Sequence, residues 1–370
     1  MYKKVVACLL CVMLAAAFMM PPMAYAEETE EVLTLKMVKE RAVKYNPEVK
    51  KQEVSIELSR IAERDARVSF DIARANYQET LGRVAAFEQA MRASKLAYEM
   101  AQYSYDDSKL GIEKFKKELE YNAERMYLNL LELDNVVQSV EETLKLQRDL
   151  IRTETLKLEL GLTIKYQYEQ QRQAAMDVEK QLQLLYNSQK ALKWQLNRMI
   201  GRDLNAPVKL APVTFQPVEY GNQQEVLEKA REELLAISQF NRTIEDKHDY
   251  AEIYKTTASD KVEKLKFEID QTKLLKADVE YSIQLAVNNA FDNLEICKKD
   301  LVDTRAKFNM VDSNYRNQEK RYELGLISAL ELKAGKTALK SSKNAYEKAV
   351  HNYYLAARKL QLAQEGILAE

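Results

Sequence analysis

The sequence predicts an all-α protein: a tandem repeat of long antiparallel coiled-coil helical hairpins, with a short extended linker between the repeats. Three observations carry this prediction. The phrase Glu159-Leu160-Gly161-Leu162 returns as Glu323-Leu324-Gly325-Leu326, and each copy lies between two long runs of helical periodicity. A hydroxyl residue follows each, Thr163 and Ser328, and 38 residues separate Thr163 from Gly201 and Ser328 from Gly366. With an offset of 164, Met126-Tyr127-Leu128-Asn129-Leu130 lies over Ala290-Phe291-Asp292-Asn293-Leu294. Glycine just past a helix takes the left-handed conformation that closes the last turn, and Ser or Thr then caps the next helix. Each phrase therefore reads as the bend of a hairpin, and the equal intervals as two returning arms of one length. Little else is identical between the halves, so the repeat preserves a shape more than a set of residues.

The composition agrees. Of 370 residues 31% are charged, with 8 Gly and 6 Pro, which fits long solvated helices and excludes collagen-like and disordered chains. Residues 1–26 stand apart, with Lys3 and Lys4, an apolar run from Val5 to Met20, and then Ala24-Tyr25-Ala26, the small-x-small pattern of a secretory cleavage site. The expectation is a cleaved signal peptide and an exported protein of the extracytoplasmic cell envelope beginning near Glu27. The apolar run is short for a membrane anchor. Cys8 and Cys11 leave with the signal, so Cys297 stands alone and no intramolecular disulfide is expected. Without Lys3 and Lys4 the 56 basic residues become 54 against 57 acidic, a net charge of −3 that points to neither nucleic acid nor an anionic membrane. No later stretch is apolar enough to cross a bilayer as a helix.

The first repeat (27–201) opens with a short helix from Leu33-Thr34-Leu35 to Tyr45, capped by Thr34. Asn46-Pro47-Glu48 then starts a long one, because proline restrains the residue before it and suits a first helical turn. One rod from Pro47 to Leu160 would measure about 170 Å, so a fold-back is required. Residues 82–94, beginning at Gly82, are the first candidate, and residues 103–111 the second. Below it, Met126, Leu130, Leu133, Val137, Val140, Leu144, Ile151 and Leu158 face Ile164, Tyr168, Ala175, Val178, Leu182, Leu185, Leu192, Leu196 and Met199. These steps of four and three describe the seam of a left-handed coiled coil.

The linker (202–222) spaces Pro207, Pro212 and Pro217 among apolar residues and predicts extended chain with room for a short strand. The second repeat (223–370) predicts one helix from Gln223 to about Tyr254, a reversal at Thr256-Thr257-Ala258-Ser259-Asp260 with Ser259 or Asp260 as cap, and a descending arm to the second bend. In the last arm Leu332, Leu339, Tyr346, Tyr353, Leu360 and Ile367 recur every seven residues. The companion positions Gly335, Ser342, Ala349, Ala356 and Ala363 are all small, which lets two helix axes approach closely. Ser328 and Glu331 have the spacing of a capping box.

No chemistry-bearing constellation emerges. His248 and His351 have no Cys or His at ligand spacing and read as helix-surface residues; Cys297 falls on a seam and reads as a small buried apolar residue. Phosphate-binding and dinucleotide fingerprints are absent, and no carboxylate pair stands out. The expectation is a protein with no catalytic residues, no cofactor and no metal.

Taken together, Leu33-Thr34-Leu35 with Asn46-Pro47-Glu48, the bends Leu160-Gly161-Leu162 and Leu324-Gly325-Leu326, and Leu330-Glu331-Leu332-Lys333-Ala334 resemble the TolC-type outer-membrane efflux protein family. The resemblance covers nearly all of the chain after residue 26. It implies an α-barrel protomer, three of which close into a tunnel crowned by a β-barrel, with the bends docking the adaptor of an inner-membrane transporter in a tripartite efflux system. Carried over by position, Gly161, Leu162, Thr163, Gly325, Leu326 and Ile327 are the docking residues and Glu331 lies at the tunnel entrance, while Ala334 stands where a second acid is expected. Residues 80–105 and 253–275, where that family inserts barrel strands, lack the alternation of lipid-facing and lumen-facing residues. They are expected to be helix and turn. The alternative reading is a structural coiled-coil spacer or interaction protein of the envelope, without transport.

Overall fold

The structure, a computed structural model, describes residues 31–215, 218–255 and 258–368. The expected signal peptide, Glu27, Cys8, Cys11, Pro217 and Thr256-Thr257 lie outside these residues. The elements in order are β1 (Val32–Leu33), α1 (Leu35–Tyr45), α2 (Pro47–Glu79), α3 (Ala85–Glu159), α4 (Lys165–Met199), β2 (Lys209–Leu210), α5 (Gln223–Glu233), α6 (Leu235–Tyr254), α7 (Ser259–Glu323) and α8 (Ala329–Gln364). Among the described residues the protein is all-α apart from two short strands.

Local chemistry sets the ends of these helices. The Thr34 hydroxyl accepts from the Met37 amide, and the Asn46 side-chain Oδ1 accepts from the Glu48 backbone amide at 2.8 Å with Pro47 as the first helical residue. The fold-back of the first repeat lies at residues 80–84, where Leu81 (φ 52°) and Gly82 (φ 72°) both take the left-handed conformation. The candidate span 82–94 thus begins at the right glycine but reaches too far, because helix resumes at Ala85. The 103–111 candidate lies inside α3, where Asp107 is held by Arg242 of α6 at 2.5 Å. Residues 80–105 and the described part of 253–275 are helix and turn, as expected.

Two expectations for the second repeat need correction. The expected single helix over 223–254 is broken at Leu234, whose ψ of 114° is extended. Lys114 of α3 donates to the carbonyl of Glu233 and, at 2.7 Å, to that of Glu365, so the freed helix-end carbonyls are received by an ammonium. At Gly366 a Cβ would collide with the backbone of Glu233 and Leu234. The residues that set the break are over a hundred positions away from it. After the reversal, α7 starts at Ser259 itself with Ala258 as cap residue and no side-chain cap bond, so neither Ser259 nor Asp260 caps it.

The packing pairs define an open layer. Toward the bends the order is α4, α3, α8, α7; toward the other end it is α2, α3, α6, α7. The long helices α3 and α7 run through both halves. The core sits at the waist, where the short elements pack: Leu33, Val38, Ala42, Leu128, Leu130, Leu196 and Ile200 on one side, and Val226, Ala230, Ile283, Val287, Ala356 and Leu360 on the other. Val32 and Leu33 pair in parallel with Lys209 and Leu210. The fully buried Tyr127 places its hydroxyl 2.9 Å from the Leu33 carbonyl and 2.6 Å from that of Ala211, tying the first strand and the linker to α3. Burial pushes the Tyr127 phenol up to about 12, so it remains a donor. The small positions of α8 behave as expected, with Ala349, Ala356 and Ala363 buried and the space beside Gly335 taken by the Gln318 side chain of α7, which a Cβ there would have to displace.

Candidate docking surface

A polar ladder joins the repeats and fixes where the bends lie. Asp149 pairs with Lys333, Glu142 with Lys340 at 2.8 Å, and the Asn135 side-chain Nδ2 donates to Glu347 at 3.2 Å. The partners step by seven down α3 while they step by seven up α8, which is antiparallel packing in coiled-coil register. The Asn344 side-chain Nδ2 adds a bond to the Asn135 backbone carbonyl at 3.0 Å. Toward the waist the ladder ends at Glu124, buried among Lys39 at 2.7 Å and Tyr354 and Arg358 at 3.4 Å. Running the same register outward brings the end of α3 beside the start of α8. The Gly161 and Gly325 bends therefore occupy one end of the molecule.

Both bends have one geometry. Gly161 (φ 70°) and Gly325 (φ 72°) are left-handed. The Leu162 amide donates to the Lys157 carbonyl at 2.7 Å and the Leu326 amide to that of Arg321 at 2.8 Å, closing each helix with the six-residue ring of a Schellman motif. A Cβ on either glycine would meet nothing within 4 Å, so backbone conformation alone calls for glycine there. The leucines are another matter. Leu160 and Leu162 are both 72% exposed, Leu324 74% and Leu326 64%, with Ile164 exposed beside them and Ile327 half-buried. They gather apolar surface at one tip without contributing to any core cluster.

The caps differ, and here the Thr163 expectation is corrected. At the second bend Ser328 caps α8 in a complete box: its hydroxyl accepts from the Glu331 amide at 3.2 Å, and Glu331 accepts from the Ser328 amide at 2.7 Å. At the first bend the cap residue is Ile164, and Thr163 instead bonds the Gln167 side chain at 2.5 Å. The offset of 164 explains this. It pairs Thr163 with Ile327, Ile164 with Ser328 and Gln167 with Glu331, so Thr163 and Ser328 were never equivalent positions. Glu331 is exposed, and the amide and hydroxyl of Ser328 hold its carboxyl below the ordinary range. Lys333 does the same for Asp149.

The histidines divide. His248 is exposed on α6, as expected, but His351 is buried, with Nδ1 3.0 Å from Glu132 Oε1 and its ring edge-on to Phe215 at 5.5 Å. Reading it as a surface residue failed because Phe215 comes from the linker. Cys297 is half-buried among the apolar residues of the second core, and burial pushes its thiol up. Among the described residues no group of three or more His, Cys, Asp or Glu is placed to hold a metal ion, and no helix is long and apolar enough to cross a membrane. The sequence reading missed the ladder itself. Its only trace was the spacing of seven in Asn135, Glu142 and Asp149 and again in Lys333, Lys340 and Glu347.

No protein-family model and no curated protein matches the sequence. Solved structures do match. A membrane protein from Pseudomonas aeruginosa aligns over 90% of this chain and 90% of its own, with a TM-score of 0.66 at 12% identity. The outer membrane protein VceC from Vibrio cholerae aligns over 90% of this chain and 95% of its own, with a TM-score of 0.62 at 11% identity. The CmeC outer membrane channel of Campylobacter jejuni aligns over 90% and 85%, with a TM-score of 0.61 at 12% identity. At such identities the likeness is one of fold, and the fold is that of the TolC-type outer-membrane channels.

Proposed function

We propose that this chain is a non-enzymatic wall component of a TolC-type efflux or secretion system, exported to the cell envelope, which docks a membrane-fusion-type adaptor through its two hairpin bends. The single observation that carries the reading is the pair of glycine-closed bends at one end of the molecule, each displaying exposed leucines that no core uses. Gly161, Leu162 and Thr163 of the first bend, with Gly325, Leu326 and Ile327 of the second, form the proposed contact. Glu331, beside them, would face the entrance of a tunnel built by three copies. The outer-membrane channels with this fold support the transport reading.

The direct test is the dissociation constant between the chain from Glu27 to Glu370 and the adaptor of the exporter it serves, with Gly161→Asp and Gly325→Asp as variants. Loss of binding with unchanged helicity is expected. An unchanged constant removes the docking claim. The fold-back at residues 80–84 favours the spacer as the second reading, since here the chain turns directly from helix to helix. Light scattering of the same chain without detergent separates the two: a trimer supports the tunnel, and a monomer supports the spacer.

A further inference from the structure

Beside the ladder, on the side covered by the linker, lies a cleft of about 750 Å³. We infer that this cleft binds a single-chain anionic amphiphile, its tail along the apolar floor and its headgroup at Lys336. The size lies in the range of about 300–1,000 Å³ in which small-molecule sites fall. The floor is made by Leu131 of α3 with Leu339 and Val350 of α8, half-buried side chains that belong to none of the packed core clusters. One end is closed by Phe215, whose ring packs on Tyr354 at 4.2 Å and on His351. His351 has Nδ1 engaged by Glu132, so this end presents ring surface and suits a hydrocarbon tail.

Charge selects the headgroup. Lys336, Lys340 and Lys343 follow one another at steps of four and three and so share one face of α8. Lys340 is paired with Glu142 and Lys343 with Glu347 at 3.5 Å, whereas Lys336 has no acidic partner among the described residues. With Lys340 and Lys343 each matched by an acid, the charge left at the cleft is the Lys336 ammonium, which attracts an anionic headgroup and repels a cationic one. Length agrees as well. Fifteen residues of helix separate Lys336 from His351, about 22 Å. One acyl chain spans about half of a 30 Å hydrocarbon core, which leaves room for the headgroup. The inference is independent of the transport reading, because no bend residue lines the cleft.

The test is titration calorimetry of the chain from Glu27 to Glu370 with monomeric laurate, alongside acetate, dodecyltrimethylammonium and vesicles of anionic phospholipid. Saturable one-site binding of laurate is expected, at least tenfold tighter than the cationic amphiphile and without detectable binding of acetate. Lys336→Glu, an exposed substitution, should weaken laurate at least fivefold with an unchanged melting temperature. Equal binding of the two amphiphiles, laurate binding indifferent to Lys336→Glu, or binding to vesicles in place of free laurate would each overturn the inference.

Discussion

Lys340 Nζ lies 2.8 Å from Glu142 Oε1, and through this pair the first repeat is held to the second. Both side chains are partly covered, and the pair stands between Asp149–Lys333 and Asn135–Glu347 in one register. Reversing one charge, as in Lys340→Glu, sets like charges against each other within the ladder. The expected cost is about 1 kcal/mol, the upper end for partly exposed pairs. Lys340→Glu with Glu142→Lys should recover most of it. Urea midpoints of the two single variants and the double variant measure the coupling, and additive losses would show that the pair does not hold the register.

How much of this was legible depends on how far apart the determinants lie. The bends, the Pro47 start and the close neighbour at Gly335 were readable because each is set by residues within a few turns of one another. The returning arms match only to within one residue, 35 in α4 and 36 in α8, because the equal intervals were counted from the non-equivalent Thr163 and Ser328. The break at Leu234 was not, since Lys114 and Gly366 impose it from elsewhere in the chain. The burial of His351 likewise depends on Phe215. The bend phrases located Leu162 and Leu326, the family resemblance made them docking candidates, and the fact that both bends share one end of the molecule came from the ladder. Thr163 misled because a hydroxyl near a bend was matched by type and not by register.

The glycines separate by what surrounds them. At Gly161 and Gly325 a Cβ meets open space, so Ala should cost only the left-handed penalty of about 1–2 kcal/mol. At Gly366 the Cβ also collides with the backbone of Glu233 and Leu234, and at Gly201 it lies 2.6 Å from Tyr45 Cβ. Thermal melts should therefore rank Gly366→Ala and Gly201→Ala well below Gly161→Ala and Gly325→Ala. A single common loss at all four would contradict the close packing at the waist.

Tyr127→Phe tests the attachment of the linker. The substitution keeps the buried ring and removes the one hydroxyl that serves the carbonyls of Leu33 and Ala211. Because Leu33 O also accepts from the Ala211 amide, the loss falls mainly on Ala211, and about 1–3 kcal/mol is expected for its stranded carbonyl. Hydrogen exchange should quicken at residues 32–37 and 209–211 while the amides near both bends keep their protection. Uniform acceleration along α3 would instead mean that Tyr127 supports the whole waist.

Acid should act on the two bends differently. The Glu331 carboxyl is held low by the amide and hydroxyl of Ser328, so its capping contribution is fully present above the ordinary value of 4.5 and is lost as pH falls through the lowered folded-state value. Gln167 occupies the matching place at the first bend and does not titrate. Amide exchange, corrected for its intrinsic pH dependence, should therefore show loss of protection at residues 329–332 between pH 5 and 3 on the scale set by an ordinary carboxylate, with residues 165–168 unchanged. Ser328→Ala should remove most of that difference at every pH, and should cost about 0.5–2 kcal/mol at neutral pH as the loss of an N-cap does. Thr163→Ala, which disturbs no cap, should cost little by the same measurement. Equal acid sensitivity at the two bends would mean that the asymmetry of the caps has no energetic consequence.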